Sequence, residues 1–242
     1  MNHRVRLLAV LFALVASQSL ASDVSITSTH MVKSNYLVDP GIEVEDGPVT
    51  QNDVTVCYGN LCGNAWISQS LEHPGNNTSS AGNEIDLTPS YTFGVGPVSV
   101  YADYGYYARL KGGSTDLHAA TLKVSAPIGG GIQLYVRNQI VHPIGQGGDI
   151  KEGGNLSMVG GTKTFAQGRY SVGLKIEGVH DDGVGGDESG WLARAVVSPS
   201  IDMGWYSIDL GLRRDQQLNV SDRGNHTQVS VGMTIKMLAP KK

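Results

Sequence analysis

The late part of the chain alternates between apolar and polar residues, and that alternation limits what the chain can become. Val229, Val231, Met233, Ile235 and Met237 interleave with Gln228, Ser230, Gly232, Thr234 and Lys236. A period of two puts the two sets on opposite faces of a strand. The same pattern runs through Tyr206, Ile208, Leu210 and Leu212 against Ser207, Asp209, Gly211 and Arg213. It recurs in Tyr170, Val172, Leu174 and Ile176 against Ser171, Gly173, Lys175 and Glu177. No stretch sustains the three-and-four spacing of an amphipathic helix, so the chain is expected to be all-β.

Weaker alternation at 24–37, 51–58, 62–71, 84–93, 98–108, 117–126, 132–142, 154–165 and 191–201 brings the expected number of strands to about twelve. Several approach the length of about 9 to 11 residues that a tilted membrane strand needs. The connections carry further information because they alternate in length. Long ones fall near 39–50, 72–83, 109–116, 143–153, 181–190 and 215–225. Short ones fall at Gly59-Asn60, Gly94 to Pro97, Pro127 to Gly131, Ala166 to Arg169 and Asp202 to Gly204. Outer-membrane barrels sort their connections this way, with short periplasmic turns, longer outside loops and an even strand number. The expected fold is a single antiparallel transmembrane β-barrel of 12 strands with both termini in the periplasm.

The first residues explain how such a chain reaches the envelope. Arg4 and Arg6 precede an apolar run from Leu7 to Ala16, and Ser19-Leu20-Ala21 offers small residues for cleavage. Residues 1–21 thus read as a Sec-type signal peptide and 22–242 as the barrel. The apolar run is about half the length of a spanning helix, and no later segment approaches about 20 apolar residues. Removing Arg4 and Arg6 from the 18 basic residues leaves 16 against 22 acidic ones, a formal charge of −6. That mild acidity speaks against a nucleic-acid partner. Cys57 and Cys62 remain after export, and an oxidising compartment favours a disulfide between them.

The residues from Ser25-Ile26-Thr27-Ser28 through Asn35-Tyr36 lead to Gly47-Pro48-Val49-Thr50-Gln51-Asn52-Asp53-Val54-Thr55-Val56. Trp66-Ile67-Ser68 and Asn83-Glu84-Ile85-Asp86-Leu87 follow. This succession of an opening strand, a glycine-containing loop, a Pro-x-x-Gln segment, a Trp-x-Ser strand and an acidic-Ile-Asp strand resembles the TorF-type porins, a proteobacterial family of about this length. The resemblance covers mainly residues 24–107. It implies an outer-membrane barrel and supplies no catalytic residue.

The polar face gives the candidate lumen residues: Asp53, Asp86, Asp103, Lys123, Arg137, Lys163, Lys175, Glu177, Arg194, Asp209, Arg213 and Lys236. The acids sit mostly on early strands and the bases on later ones, so closure is expected to set an acidic wall across from a basic one. Such a transverse field suits small polar solutes, with a slight preference for anions. These charges could instead pair across a narrow lumen and plug it.

Asp181, Asp182, Asp187 and Glu188 gather in one loop and could offer oxygen ligands to a hard cation such as calcium. They lack the spacing of an EF-hand, and a solvated acidic loop is the favoured reading. No Gly-x-Ser-x-Gly elbow or metal-ligand cluster accompanies the histidines, so neither catalysis nor a cofactor is expected. The leading function is a porin-like channel for passive diffusion of small hydrophilic solutes, embedded in outer-membrane lipid. A non-conducting structural or adhesive barrel, and a soluble periplasmic β-sandwich binding a sugar or lipid, stay open as alternatives, as does the oligomeric state.

Overall fold

A computed structural model of the chain describes residues 24–72, 82–110, 115–144, 153–184, 189–219 and 224–238. Residues 1–21, expected to be a signal peptide, lie outside them. Fourteen strands are present among the described residues. β1 (Val24–Lys33) is followed by the short β2 (Tyr36–Val38) and β3 (Ile42–Glu45). β4 (Val49–Tyr58), β5 (Leu61–Ser70), β6 (Glu84–Val95), β7 (Val98–Arg109), β8 (Asp116–Gly129) and β9 (Ile132–Ile144) come next. β10 (Gly154–Gln167), β11 (Tyr170–Asp182), β12 (Gly190–Asp202), β13 (Tyr206–Gln217) and β14 (His226–Leu238) complete the chain.

β1 and β4 to β14 form one closed antiparallel barrel of twelve strands. β1 pairs with both β4 and β14, which closes the seam. Closure satisfies every strand edge from within, the condition that a lipid environment imposes on backbone polar groups. A two-sheet sandwich is therefore set aside. The short turns gather at one end of the barrel and the long connections at the other. Gly59 and Gly168 show why such tight turns are possible: their φ values of 55° and 60° lie in the left-handed region, which a side chain disfavours and glycine tolerates. The twelve expected barrel strands all form, and both ends of the barrel chain lie at the short-turn end.

Across the barrel wall the usual order of a soluble protein is inverted. Large apolar side chains face outward: Leu134 and Val136 on β9, Leu174 and Ile176 on β11, Leu210 and Leu212 on β13, and Val229 and Val231 on β14 are all exposed, Ile176 at 70%. Trp205 and Tyr170 join them near the short turns, and Trp191 near the long connections. The buried set is instead rich in Gln51, Glu84, Gln139, Glu177, Arg194, Asp215 and Gln228. A continuous apolar exterior of this extent is stable only against a nonpolar surround.

Cys57 and Cys62 face each other across the β4–β5 turn and are joined as a disulfide. Among the described residues the architecture departs from expectation around the first long connection: the strand expected over 24–37 ends at Lys33, and its last residues join the stretch expected as an outside loop over 39–50. Part of it forms the separate antiparallel hairpin β2–β3, and this hairpin folds into the barrel mouth.

Candidate functional site

The hairpin is built for the interior. Tyr36-Leu37-Val38 and Ile42-Glu43-Val44 flank Asp39-Pro40-Gly41, two apolar-rich arms around a turn sequence. Tyr36 and Leu37 are buried, Leu37 at 5% exposure. The Tyr36 ring lies against Trp66 on β5, with centroids 5.8 Å apart, and its hydroxyl donates to Glu84 Oε2 on β6 at 2.8 Å. Gly41 adopts φ 89°, and a Cβ there would approach Leu192 Cδ2 to 2.8 Å. Leu192 belongs to a small inward-facing apolar cluster with Leu156, Met158 and Val179 on β10 to β12. The interior therefore offers this hairpin a nonpolar seat amid polar walls.

The tip carboxylate meets a row of guanidiniums. Arg194 Nη1 on β12 lies 2.6 Å from Asp39 Oδ1, Arg137 Nη1 on β9 lies 3.5 Å from Asp39 Oδ2, and Arg213 Nη2 on β13 lies 3.9 Å away. Arg213 also donates to the carbonyls of Leu37 and Val38. Burial opposes ionisation of Asp39, but Arg194, Arg137 and Arg213 outweigh it and hold the carboxyl below the usual carboxylate range.

The arginines are themselves bound into the wall. Arg194 grips Asp215 through Nε at 2.9 Å and Nη2 at 3.1 Å, a two-point contact that fixes the guanidinium plane. It also reaches Glu177 at 3.4 Å. Glu177 pairs with Lys175 at 2.8 Å and accepts a hydrogen bond from Tyr135. Arg213 holds Asp215 at 2.5 Å. Arg137, Lys175, Arg194 and Arg213 thus face Asp39, Glu177 and Asp215, four cations against three carboxylates.

On the short-turn side of this cluster lies a cavity of about 530 Å³. Arg137, Glu177 and Lys175 form its deep end, next to the hairpin tip. Asp103, Lys123, Tyr101 and Tyr135 line its middle, and Ser99, Ser125, Gln133 and Thr162 extend toward the turns. Lys123 Nζ sits 4.6 Å above the Tyr135 ring, an attraction to the ring face that leaves the charge inside the cavity.

Strand register places Asp53, Asp86, Asp103, Lys123, Arg137, Lys175, Glu177, Arg194, Asp209, Arg213 and Lys236 on the inner face. Asp103, Lys123, Arg137, Lys175 and Glu177 share the cavity. Asp209 is instead occupied by Ser200 at 2.6 Å and Thr234 at 2.9 Å, and Lys236 by Asp202 at 3.2 Å near the short turns. Asp53 lies on β4, where Asn64 Nδ2 reaches it at 3.5 Å.

Lys163 is a correction. It pairs in register with outward-facing Leu174, and its amine lies 4.7 Å over the outward Phe165 ring. A lysine near a strand end can run its stem along the apolar exterior and lift its amine toward the polar boundary. Charge alone therefore misassigned its face.

Of the acidic quartet, two members lie within the described residues. Asp181 turns inward and accepts the Val184 backbone N–H at 2.8 Å, Asp182 is exposed, and Asp187 and Glu188 fall outside the described residues. Among the described residues no group of three or more His, Cys, Asp or Glu side chains is arranged to hold a metal ion.

Three interior residues escaped the sequence reading: Asp39, Glu84 and Asp215. Glu84 and Asp215 lie just at or beyond the strand limits assigned from alternation. Asp39 had a usable signal in its Asp-Pro-Gly turn between two apolar arms. With these included, a count of charges no longer favours anions, and the three cations against two carboxylates in the cavity itself become the relevant balance.

The fold and its inverted surface define a closed twelve-stranded antiparallel barrel with an apolar exterior, the architecture of transmembrane β-barrels. No family model matches the chain, and no curated protein matches its sequence. Solved structures do match in fold. A KdgM porin is similar at a TM-score of 0.56 and 12% identity, over 87% of this chain and 98% of that one. The NanC porin is similar at 0.56 and 9%, over 88% and 100%. An outer-membrane channel from Pseudomonas putida F1 is similar at 0.57 and 10%, over 92% and 98%.

Proposed function

We propose that the chain, once residues 1–21 have directed its export, is an outer-membrane channel for passive diffusion of small hydrophilic solutes. The observation that carries this reading is the pairing of an apolar exterior with an ionic, cavity-bearing interior. The long connections then face outside, the short turns and both chain ends face the periplasm, and transport needs neither catalysis nor a cofactor. The resemblance to TorF-type porins over 24–107 fits this reading, because Gln51, Trp66, Ser68 and Asp86 of its motifs all point inward, beside or beneath the hairpin.

The cavity cations Lys123, Arg137 and Lys175 favour anions slightly over cations of the same size. Liposome swelling tests conduction, with the folded state verified by a mobility shift on heating in detergent gels. Swelling is expected in at least one member of a panel of small sugars and organic-acid salts, and a folded barrel that admits none of them would leave the non-conducting structural reading, which the seated hairpin favours. Reversal potentials in a planar bilayer are expected to show weak anion selectivity, and clear cation selectivity would overturn that part.

A further inference from the structure

The hairpin tip presents one carboxylate to three arginines, two of which are held by carboxylates of the barrel wall. Arg194 is oriented by Asp215 and Glu177, and Arg213 by Asp215. These wall contacts do not involve Asp39, and Arg213 in addition holds the hairpin carbonyls of Leu37 and Val38. Arg137 is shared: it faces Asp39 on one side and lines the open cavity on the other. A solute in the cavity therefore reaches this arginine row without the hairpin having first withdrawn. Lys123 and Lys175 sit along the same approach beside Asp103 and Glu177, so a negative solute meets three cations against two carboxylates before the point where Asp39 stands.

We propose that Asp39 is a built-in substitute for the carboxylate of a permeating acidic solute, and that such a solute opens the channel by taking its place on Arg137, Arg194 and Arg213. The inference rests on the channel reading and deepens it by naming the solute class as small organic carboxylates. Competition is feasible because the exchange conserves the charge balance: one carboxylate leaves the arginines as another arrives, and no guanidinium is left buried without a counterion. A neutral sugar offers no such replacement, since displacing Asp39 would take from Arg137 its carboxylate and leave the four cations facing only Glu177 and Asp215.

Two readouts test this in the full barrel folded into lipid vesicles. The first is maleimide labelling of Leu37→Cys, which reports whether the hairpin is seated independently of conduction. The second is planar-bilayer conductance. Glucuronate is expected to raise both the labelling rate and the open probability several-fold, with glucose at equal concentration without effect. Asp39→Asn is expected to raise both in the absence of glucuronate and to remove the response.

Equal stimulation by inorganic phosphate would show a site for any anion and overturn the carboxylate assignment. Labelling that ignores both glucuronate and Asp39→Asn would overturn the displacement itself, even in a conducting protein. Labelling that responds in a barrel that never conducts would instead overturn the channel reading. A heat-modifiable band for each variant confirms that the barrel has folded.

Discussion

Arg194 gives the sharpest test of how the interior is held together. Its guanidinium is buried at 3% exposure and touches Asp39 at 2.6 Å, Asp215 at 2.9 Å and Glu177 at 3.4 Å. Arg194→Met keeps the length and apolar stem but removes the charge. Breaking a buried ion pair by deleting one partner costs about 3 to 5 kcal/mol, because the survivors are left uncompensated. Here each survivor keeps a second cation: Glu177 keeps Lys175 at 2.8 Å, Asp215 keeps Arg213 at 2.5 Å, and the cluster falls to three cations against three carboxylates. The loss should therefore sit near the lower end, about 3 kcal/mol.

The loss should also be uneven. Asp39 trades its 2.6 Å contact for the two longer ones at 3.5 Å and 3.9 Å, so the hairpin bears more of it than the wall. Urea unfolding in vesicles, followed by tryptophan fluorescence, measures the total. A double-mutant cycle with Asp39→Asn measures the share carried by that pair, and a coupling of about 1 to 3 kcal/mol is expected. Additivity within about 0.5 kcal/mol would refute the claim that Asp39 and Arg194 act together.

Replacing Cys57 and Cys62 with alanine removes a staple across a very short loop, which by the chain-entropy estimate costs about 2 kcal/mol or less. The unfolding free energy from urea titration should fall by that amount with conductance unchanged, and an altered conductance would contradict the placement of the disulfide at the short-turn end. Val136→Arg puts a charge on the exterior of the middle of β9 and should cost about 2 to 4 kcal/mol, seen as a reduced yield of the heat-modifiable band; an unchanged yield would argue against lipid contact there. Acid should unseat the hairpin only late. The folded value of Asp39 lies below its unfolded one, so its ion pairs contribute fully above about pH 3.9 and are lost as pH falls through the lower folded value. Conductance should hold steady from about pH 7 to pH 4, and a rise already by pH 5 would refute this.

The barrel was legible because alternation and turn chemistry are local. Each pair such as Leu210 and Gly211 declares its faces within a few residues, and glycines at positions such as Gly59 and Gly168 mark the turns. The interior was legible in part. Register carried Asp86, Arg137 and Arg194 to the inner face as the alternation implied, but Lys163 went outward because a long amine near a strand end can be satisfied on either side. The partnerships of Arg194 could not be read, since Asp39, Glu177 and Asp215 reach it from three separate strands or loops. The expected face-off of acidic and basic walls holds for Asp53, Asp86 and Asp103 against Arg137 and Arg213, but not for Lys123, whose strand β8 is paired with the β7 of Asp103. Asp39, Glu177 and Asp215 then soften it on the basic side.

The hairpin also imposes an order on assembly. It is made early in the chain, yet its tip bonds to Arg194 across 155 positions and to the stretch around Arg213 across more than that. Those arginines arrive only with β12 and β13, just before the β1–β14 seam can join. Contacts so distant in sequence are costly to close and form late. Seating of Asp39 therefore reports from within that the cylinder is complete, and a half-built barrel leaves the hairpin loose.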